Sequence, residues 1–212
     1  MTLSILFEDN HLLIVHKPAN IPTQPRSSEV TDEDSLEYRA KAYIKEKYQK
    51  PGSVFLHAVH RLDKEVEGIV IFAKTSKALS RMQELMREKK LEKIYHAKVH
   101  GHLQIKQRKL SHFLVKKSHY AVVSGKEDPE AKQCVLSYEV VKEDKNTSLL
   151  KIHLESGRYH QIRVQLSDLG HPVVGDTKYG STTAYPDHHI DLMHTYVAFE
   201  HPIRKTLLEV KI

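Results

Sequence analysis

The sequence contains a single cysteine and no long hydrophobic run, and these two shortages exclude several classes of protein. One cysteine, Cys134, cannot form an internal disulfide framework or a cysteine-rich zinc site, and it suits a reducing compartment. The longest apolar runs, such as residues 69–73, fall far short of the ~20 residues that a membrane-spanning helix needs. Residues 1–8 lack the basic segment of a secretory signal. We therefore expect a cytoplasmic protein without membrane contact.

Several catalytic motifs are also missing. The sequence has no glycine-rich phosphate loop ending in Lys-Ser or Lys-Thr, no dinucleotide-binding fingerprint and no Gly-x-Ser-x-Gly nucleophile elbow. His57, His60 and Asp63 follow one another at intervals of three residues and could ligate zinc or a non-haem metal. No helical His-Glu-x-x-His pattern supports that site, so a metal-dependent phosphoesterase is a minor alternative.

The composition predicts one folded domain. The chain has 212 residues, of which 40% are hydrophobic and 28% charged. A chain of this length buries roughly 70% of the surface that its unfolded form exposes, which is enough for a real core. We expect residues 1–212 to form a single domain.

Positive charge is concentrated in one segment. The chain has 33 Lys and Arg against 27 Asp and Glu, a net charge of +6, and 16 histidines besides. Residues 87–117 hold ten Lys or Arg and only two Glu, so this segment is more basic than the whole chain. Such a segment is either a solvated face or a surface for a polyanion. No lipid-anchor motif is present, which favours nucleic acid over a membrane.

The hydrophobic pattern predicts an α+β fold. Alternating and apolar stretches predict a hairpin over residues 5–15, strands at 68–73, 93–99, 192–199 and 206–212, and a second hairpin formed by 134–141 and 148–155. Helical spacing follows possible caps at Asp34 or Ser35 and at Thr75 or Ser76, and a short helix follows Gly157. Strands therefore predominate, and the expected architecture is a mixed, mostly antiparallel sheet with flanking helices and loops.

Two polar segments beside core strands carry the strongest functional signal. The first is His60-Arg61-Leu62-Asp63, which precedes the strand at 68–73, and the second is the run from Gly157 to Arg163, read Gly-Arg-Tyr-His-Gln-Ile-Arg. Between them lies a strand that contains Tyr95. These segments, in this order and spacing, resemble the RluA-type pseudouridine synthases. The likeness runs nearly end to end, from the Lys-Pro turn after residue 16 to the His-Pro pair at 201–202.

The resemblance implies a reaction and roles for four residues. Asp63 matches the catalytic aspartate, and Arg61 matches the arginine that fills the gap left by a flipped base. Tyr95 matches the tyrosine that packs against the target uracil, and Arg163 matches the basic residue paired with the aspartate. The family converts uridine in RNA to pseudouridine without cofactor or metal.

Without the resemblance, the same residues have plainer interpretations. Asp63 and Arg163 could form a buried structural ion pair, and Tyr95 could be an ordinary strand aromatic. Arg61 could contact backbone carbonyls. The other conspicuous histidines are expected to be structural or to lie in loops and the core: His60, His160, His188, His189 and His194. A catalytically silent RNA-binding module of the same fold is the alternative function.

The RNA target is less defined. Lys17, Arg158, Lys89 and Lys90 are candidate RNA contacts, together with the basic segment, Arg26 and the loop at 176–189. Many relatives carry an RNA-binding domain of the S4 type, whereas here the motifs begin near residue 12, so we expect a stand-alone, monomeric catalytic domain that slightly favours tRNA over rRNA. Two departures from the family pattern, Val66-Glu67 in place of Thr-Ser and Gln165 in place of histidine, bear on the choice of RNA.

Overall fold

The structure is a computed structural model that describes residues 3–25 and 35–212. The chain divides into two compact units. The first unit consists of Met1–Leu91 with Tyr196–Ile212, and the second of Glu92–Thr195. Whether the chain folds as the single domain expected from its length remains a prediction, and Arg26 and Asp34 lie outside the described residues.

The first unit is built from short antiparallel strand pairs and two helices. Its elements in chain order are β1 (Ser4–Glu8), β2 (Leu12–Lys17), α1 (Leu36–Lys47), β3 (His57–Ala58), β4 (Glu67–Ala73), α2 (Ser76–Arg87), the second half of β10 (Leu192–Glu200) and β11 (Leu207–Lys211). Strand β2 pairs with β1 on one side and β4 on the other, β3 pairs with β4, and β11 pairs with β10, all antiparallel.

Apolar strands form the core of this unit, and capped helices flank them. Ile14, Ile69 and Ile71 are fully buried in a cluster that also contains Met82 of α2. Nearly all residues of strand β4 are buried, so both faces of the strand are covered, which agrees with its almost continuous apolar sequence. The hydroxyls of Ser35 and Thr75 accept hydrogen bonds from the first-turn backbone amides and so define where the two helices begin. Both caps were among the predicted residues.

The second unit is an antiparallel meander with one short helix. Its elements are β5 (Glu92–His100), β6 (Gln107–Lys117), β7 (Tyr120–Ser124), β8 (Lys132–Asp144), β9 (Thr147–Leu154), α3 (Gln161–Asp168), a 3₁₀ turn (Thr177–Tyr179) and the first half of β10. The strand order is β5-β9-β8-β6-β7. Helix α3 contacts β6 and β7, where Val164 packs with Leu114, Ala121 and Cys134.

The predicted α+β class with a mostly antiparallel sheet is confirmed. The hydrophobic pattern did not indicate β3, β6 or β7. In β6 exposed residues run together, with Leu114 and Val115 buried side by side, so the two-residue alternation that identifies a strand is broken. No helix in the described ranges is long and apolar enough to cross a bilayer.

Candidate active site

The loop that carries Asp63 connects β3 to β4 and is anchored by a buried lysine. The ammonium group of Lys17, at the end of β2, donates hydrogen bonds to three carbonyl oxygens, those of Pro18 at 3.0 Å, Ile21 at 2.8 Å and Lys64 at 3.1 Å. The Lys17 side chain therefore ties the Asp63 loop to the turn that follows β2.

This position corrects one prediction, because Lys17 is 0% exposed and all three of its donors are used within the first unit. It is not available to RNA. Burial lowers the pKa of Lys17 to about 8, while the carboxylates of Asp63, Glu65 and Glu67 oppose that shift. Lys17 thus also supplies positive charge beneath the loop.

Two further residues hold the backbone of the same loop. The hydroxyl of Thr23 donates to the Leu62 carbonyl at 2.9 Å and accepts from the Leu62 amide at 3.1 Å. The Asn20 amide donates to the Lys64 carbonyl at 2.7 Å. Since the residues on either side of Asp63 are fixed in this way, the position of Asp63 is defined by its backbone.

The side chains of this loop differ in exposure. Arg61 is exposed and Asp63 is half-buried, whereas Leu62 and Val66 are buried. The ring of His60 accepts a hydrogen bond from the Ile71 amide of β4 at 3.3 Å, which is a structural role. Within residues 3–25 and 35–212 no group of three His, Cys, Asp or Glu is arranged to hold a metal ion, so nothing supports the metal-site alternative.

In the second unit, β5 carries Tyr95 and a lysine two residues before it. The Tyr95 ring is 6% exposed and stacks on His194 with a centroid distance of 4.5 Å. The predicted core position of His194 is confirmed, since this residue is 0% exposed. Burial lowers the pKa of Lys93, which shares a strand face with Tyr95. No residue in the described part of the chain accepts a hydrogen bond from its ammonium or forms an ion pair with it.

Arg163 on α3 is buried and held by a carboxylate to which the sequence assigned no role. Its guanidinium donates to both carboxylate oxygens of Asp176, at 2.7 and 2.8 Å, and both residues are nearly fully buried. This bidentate geometry fixes the plane of the guanidinium. The guanidinium also lies 5.2 Å from the centre of the Tyr179 ring.

Tyr179 connects this pair to the turn before α3. Burial raises the pKa of Tyr179 to about 12, so the hydroxyl stays protonated at neutral pH. That hydroxyl accepts from the Ala121 amide at 2.7 Å and lies 2.8 Å from Nδ1 of His160. His160 is buried and structural, as predicted from the sequence.

The candidate RNA contacts on the surface divide into paired and unpaired cations. Lys90 forms an ion pair with Glu88 at 2.7 Å, and Glu88 raises its pKa, whereas Lys89 is exposed and has no ion pair with any described residue. Arg158 is exposed beside the turn that precedes α3. Lys89, Lys90 and Arg158 remain predicted contacts.

The structure places the four predicted site residues on two units. Arg61 and Asp63 share a loop of the first unit, and Tyr95 and Arg163 belong to the second. The pairing of Asp63 with Arg163 and the meeting of all four at one uridine stay predictions. Sequence reasoning did not predict that Asp176 holds Arg163. The only signal for this residue was its place in the Gly175-Asp176 pair after α3.

Comparison with known proteins identifies the family to which the chain is similar. Residues 11–168 match the family described as RNA pseudouridylate synthase. An uncharacterized RNA pseudouridine synthase of Bacillus subtilis, YhcT, is 35% identical over 84% of this chain and 58% of its own length. Ribosomal large subunit pseudouridine synthase C of Buchnera aphidicola (subspecies Acyrthosiphon pisum) is 33% identical over 98% of this chain and 66% of its own length. The chain thus spans less than two thirds of these curated relatives.

Solved structures agree on the fold. Human RNA pseudouridylate synthase domain containing 4 superposes with a TM-score of 0.81 at 20% identity, covering 99% of this chain and 87% of that chain. Human RNA pseudouridylate synthase domain containing 1 gives a TM-score of 0.78 at 25% identity, covering 100% and 83%. Because the family model matches most of its length and the sequence carries the motifs described above, this chain belongs to the RNA pseudouridylate synthase family.

Proposed function

We propose that this protein isomerises uridine to pseudouridine in RNA and that Asp63 is the catalytic carboxylate. The observation that carries the proposal is the anchoring of the Asp63 loop. Its backbone is fixed by Lys17, Asn20 and Thr23, while the carboxylate itself stays half-buried. A carboxylate held in place on a rigid loop is what a reaction needs when substrate and catalyst must be aligned.

The reaction is balanced without an added oxidant or reductant. The C1′–N1 bond breaks, the detached uracil turns, a C1′–C5 bond forms, C5 loses its proton and N1 gains one. An ionised Asp63 can attack C1′, attack C6 of the base or remove the C2′ proton, and these three routes remain open. A base in a structured RNA must first be extruded, which costs a few kcal/mol.

Three other residues bind the RNA or orient the reacting groups. Arg61, which is exposed next to Asp63, fills the gap left by the extruded base. Tyr95, whose ring stacks on His194, packs against the uracil. Arg163, whose plane is fixed by Asp176, is the basic residue that the family resemblance assigns to the catalytic aspartate.

The target is a uridine of large-subunit ribosomal RNA. The support is the name of several relatives as ribosomal large subunit pseudouridine synthases, which outweighs the slight preference for tRNA drawn from the sequence. A cytoplasmic location and a monomeric state are parts of the same proposal.

The test measures tritium release from RNA transcripts labelled at C5 of uridine. We expect the wild-type protein to release tritium from large-subunit rRNA, with a tRNA transcript as the comparison substrate. Asp63→Asn should fold normally and release only background tritium, because its amide neither attacks nor removes a proton. Asp144→Asn is the matched control, since Asp144 is an exposed acid at the end of β8 whose ion pair with Lys142 is superficial.

Two outcomes would contradict the proposal. Normal turnover by Asp63→Asn would remove the aspartate from the mechanism. Salt-dependent binding of RNA by the wild-type protein without any tritium release from either transcript would instead indicate the catalytically silent RNA-binding module.

A further inference from the structure

The second unit contains an open pocket whose lining includes none of the four predicted site residues. Its volume is about 520 Å³. The floor consists of apolar residues that are at most 4% exposed: Leu114, Val115 and Ala121. The rim carries three exposed cations: Lys116, Lys132 and Arg158. They converge from three separate stretches of the chain, namely β6, the start of β8 and the turn before α3.

The charges of the rim are not neutralised within the protein. Lys116, Lys132 and Arg158 form no ion pair with any residue of the ranges 3–25 and 35–212. By contrast, Lys106 and Lys109, which lie just before and within β6, are paired with Glu143 and Glu155. The one acid that lines the pocket is Glu130, so the lining carries a net charge of +2. This pocket therefore attracts an anion.

The walls of the pocket are held in place. Gln161, itself buried, accepts from the Arg158 amide at 3.1 Å, and the Arg158 guanidinium donates to the Gln133 carbonyl at 3.3 Å. The ring of Tyr159 stacks on His160 at 3.8 Å, and the Lys116 ammonium lies 4.9 Å from the centre of the Tyr159 ring. A ligand would thus meet a site that is already formed, which lowers the entropic cost of binding.

The combination of floor and rim favours a nucleotide over a simple anion. A free phosphate needs cations but no apolar floor, whereas a nucleotide joins an apolar base and ribose to a charged phosphodiester. Lysine and arginine are the side chains that bind phosphate oxygens in proteins. A volume of about 520 Å³ also lies in the ordinary range for a small-ligand site.

We propose that this pocket binds one unpaired nucleotide of the RNA substrate, other than the target uridine. The base rests on the floor formed by Leu114, Val115 and Ala121, and the phosphate contacts Lys116, Lys132 and Arg158. The inference rests on the proposed function for its choice of RNA. None of these residues has a proposed role in the chemical step, so the pocket contributes to RNA affinity and not to turnover.

The experiment removes two rim charges that have no structural hydrogen bond. The double variant Lys116→Gln, Lys132→Gln is compared with Lys142→Gln, Lys145→Gln, which removes the same charge from the exposed end of β8 and the turn that follows it in the same unit. Both are assayed on a large-subunit rRNA transcript for the Kd as a function of salt, and for kcat and KM by tritium release.

The rim variant should raise Kd and KM several-fold, and the slope of log K against log salt should decrease in magnitude by about 0.7 for each single-strand phosphate that the protein no longer neutralises. Its kcat should equal that of the wild type, and the control should change little. Equal weakening of binding in both variants, unchanged binding in both, or an effect confined to kcat would overturn the proposal. So would equal competition by poly-glutamate, which would indicate a general anion site. The binding measurements stand even if the wild type shows no turnover, so the two proposals fail separately.

Discussion

Lys17 and Arg163 are both buried cations, but the protein satisfies them in different ways. Lys17 donates only to carbonyl oxygens of its own unit, whereas Arg163 is held by the carboxylate of Asp176. A sequence shows the charge of a lysine but not the acceptors that surround it. For this reason the sequence-based assignment of Lys17 to an RNA surface was wrong.

Replacing Lys17 should destabilise the first unit. In Lys17→Met the carbonyls of Pro18, Ile21 and Lys64 lose a buried donor, and each unsatisfied group costs about 1–3 kcal/mol. We expect urea titration to show the free energy of unfolding lowered by roughly 3 kcal/mol. Lys64→Met, which removes an exposed lysine of the same loop, should change it by less than about 0.5 kcal/mol. Equal effects of the two substitutions would show that the buried ammonium does not anchor the loop.

At the scale of elements, Glu8 joins the end of β1 to α1 and to the residue after β4. Its carboxylate accepts hydrogen bonds from Lys47 and Tyr43 of α1, from Tyr48 and from Lys74. Burial by itself would raise the pKa of Glu8, but these four donors together outweigh it and lower the pKa to about 2. The carboxylate thus stabilises the packing of these elements in its ionised form.

This arrangement predicts a specific acid sensitivity. The folded-state pKa of Glu8, about 2, lies below its usual value of 4.5, so the stabilisation is complete above pH 4.5 and is lost as the pH falls toward 2. Glu8→Gln should lower the free energy of unfolding by about 2–3 kcal/mol at pH 7. Urea titrations should show that difference shrinking toward zero near pH 2. Glu46→Gln, which changes an exposed acid of α1, is the control. A deficit of Glu8→Gln that is independent of pH would contradict the assignment.

Over the whole molecule, the net charge of +6 does not show which cations are ion-paired and which are not. In the basic segment of residues 87–117, Lys90, Lys106 and Lys109 are ion-paired with glutamates. Lys116 is not paired with any described acid and lines the pocket of the second unit. The segment is therefore partly a solvated, paired face and partly an unpaired one, so both interpretations of its charge apply.

The 16 histidines should make RNA binding depend on pH. Histidine ordinarily changes charge between about pH 5 and 8, so lowering the pH from about 7.5 to about 6 should strengthen the attraction to phosphates. Burial lowers the pKa of His96 and of His201. In the inactive Asp63→Asn variant, we expect filter binding to show a several-fold lower Kd for the rRNA transcript at about pH 6 than at about pH 7.5. At about 0.5 M salt the difference should nearly vanish. An affinity that is constant, or that falls with decreasing pH, would contradict this account.

The sequence by itself determined the features that depend on neighbours along the chain. Apolar periodicity and the hydroxyls of Ser35 and Thr75 fixed the helices, and the motif around Asp63 indicated the family. Tertiary structure alone decided which distant groups meet. It buried Lys17 against the Asp63 loop and paired Arg163 with Asp176. It also paired strand β6 with β8 and assembled the pocket from separate segments of the chain. Such contacts lie beyond any local pattern, because their energy comes from partners that only folding brings together.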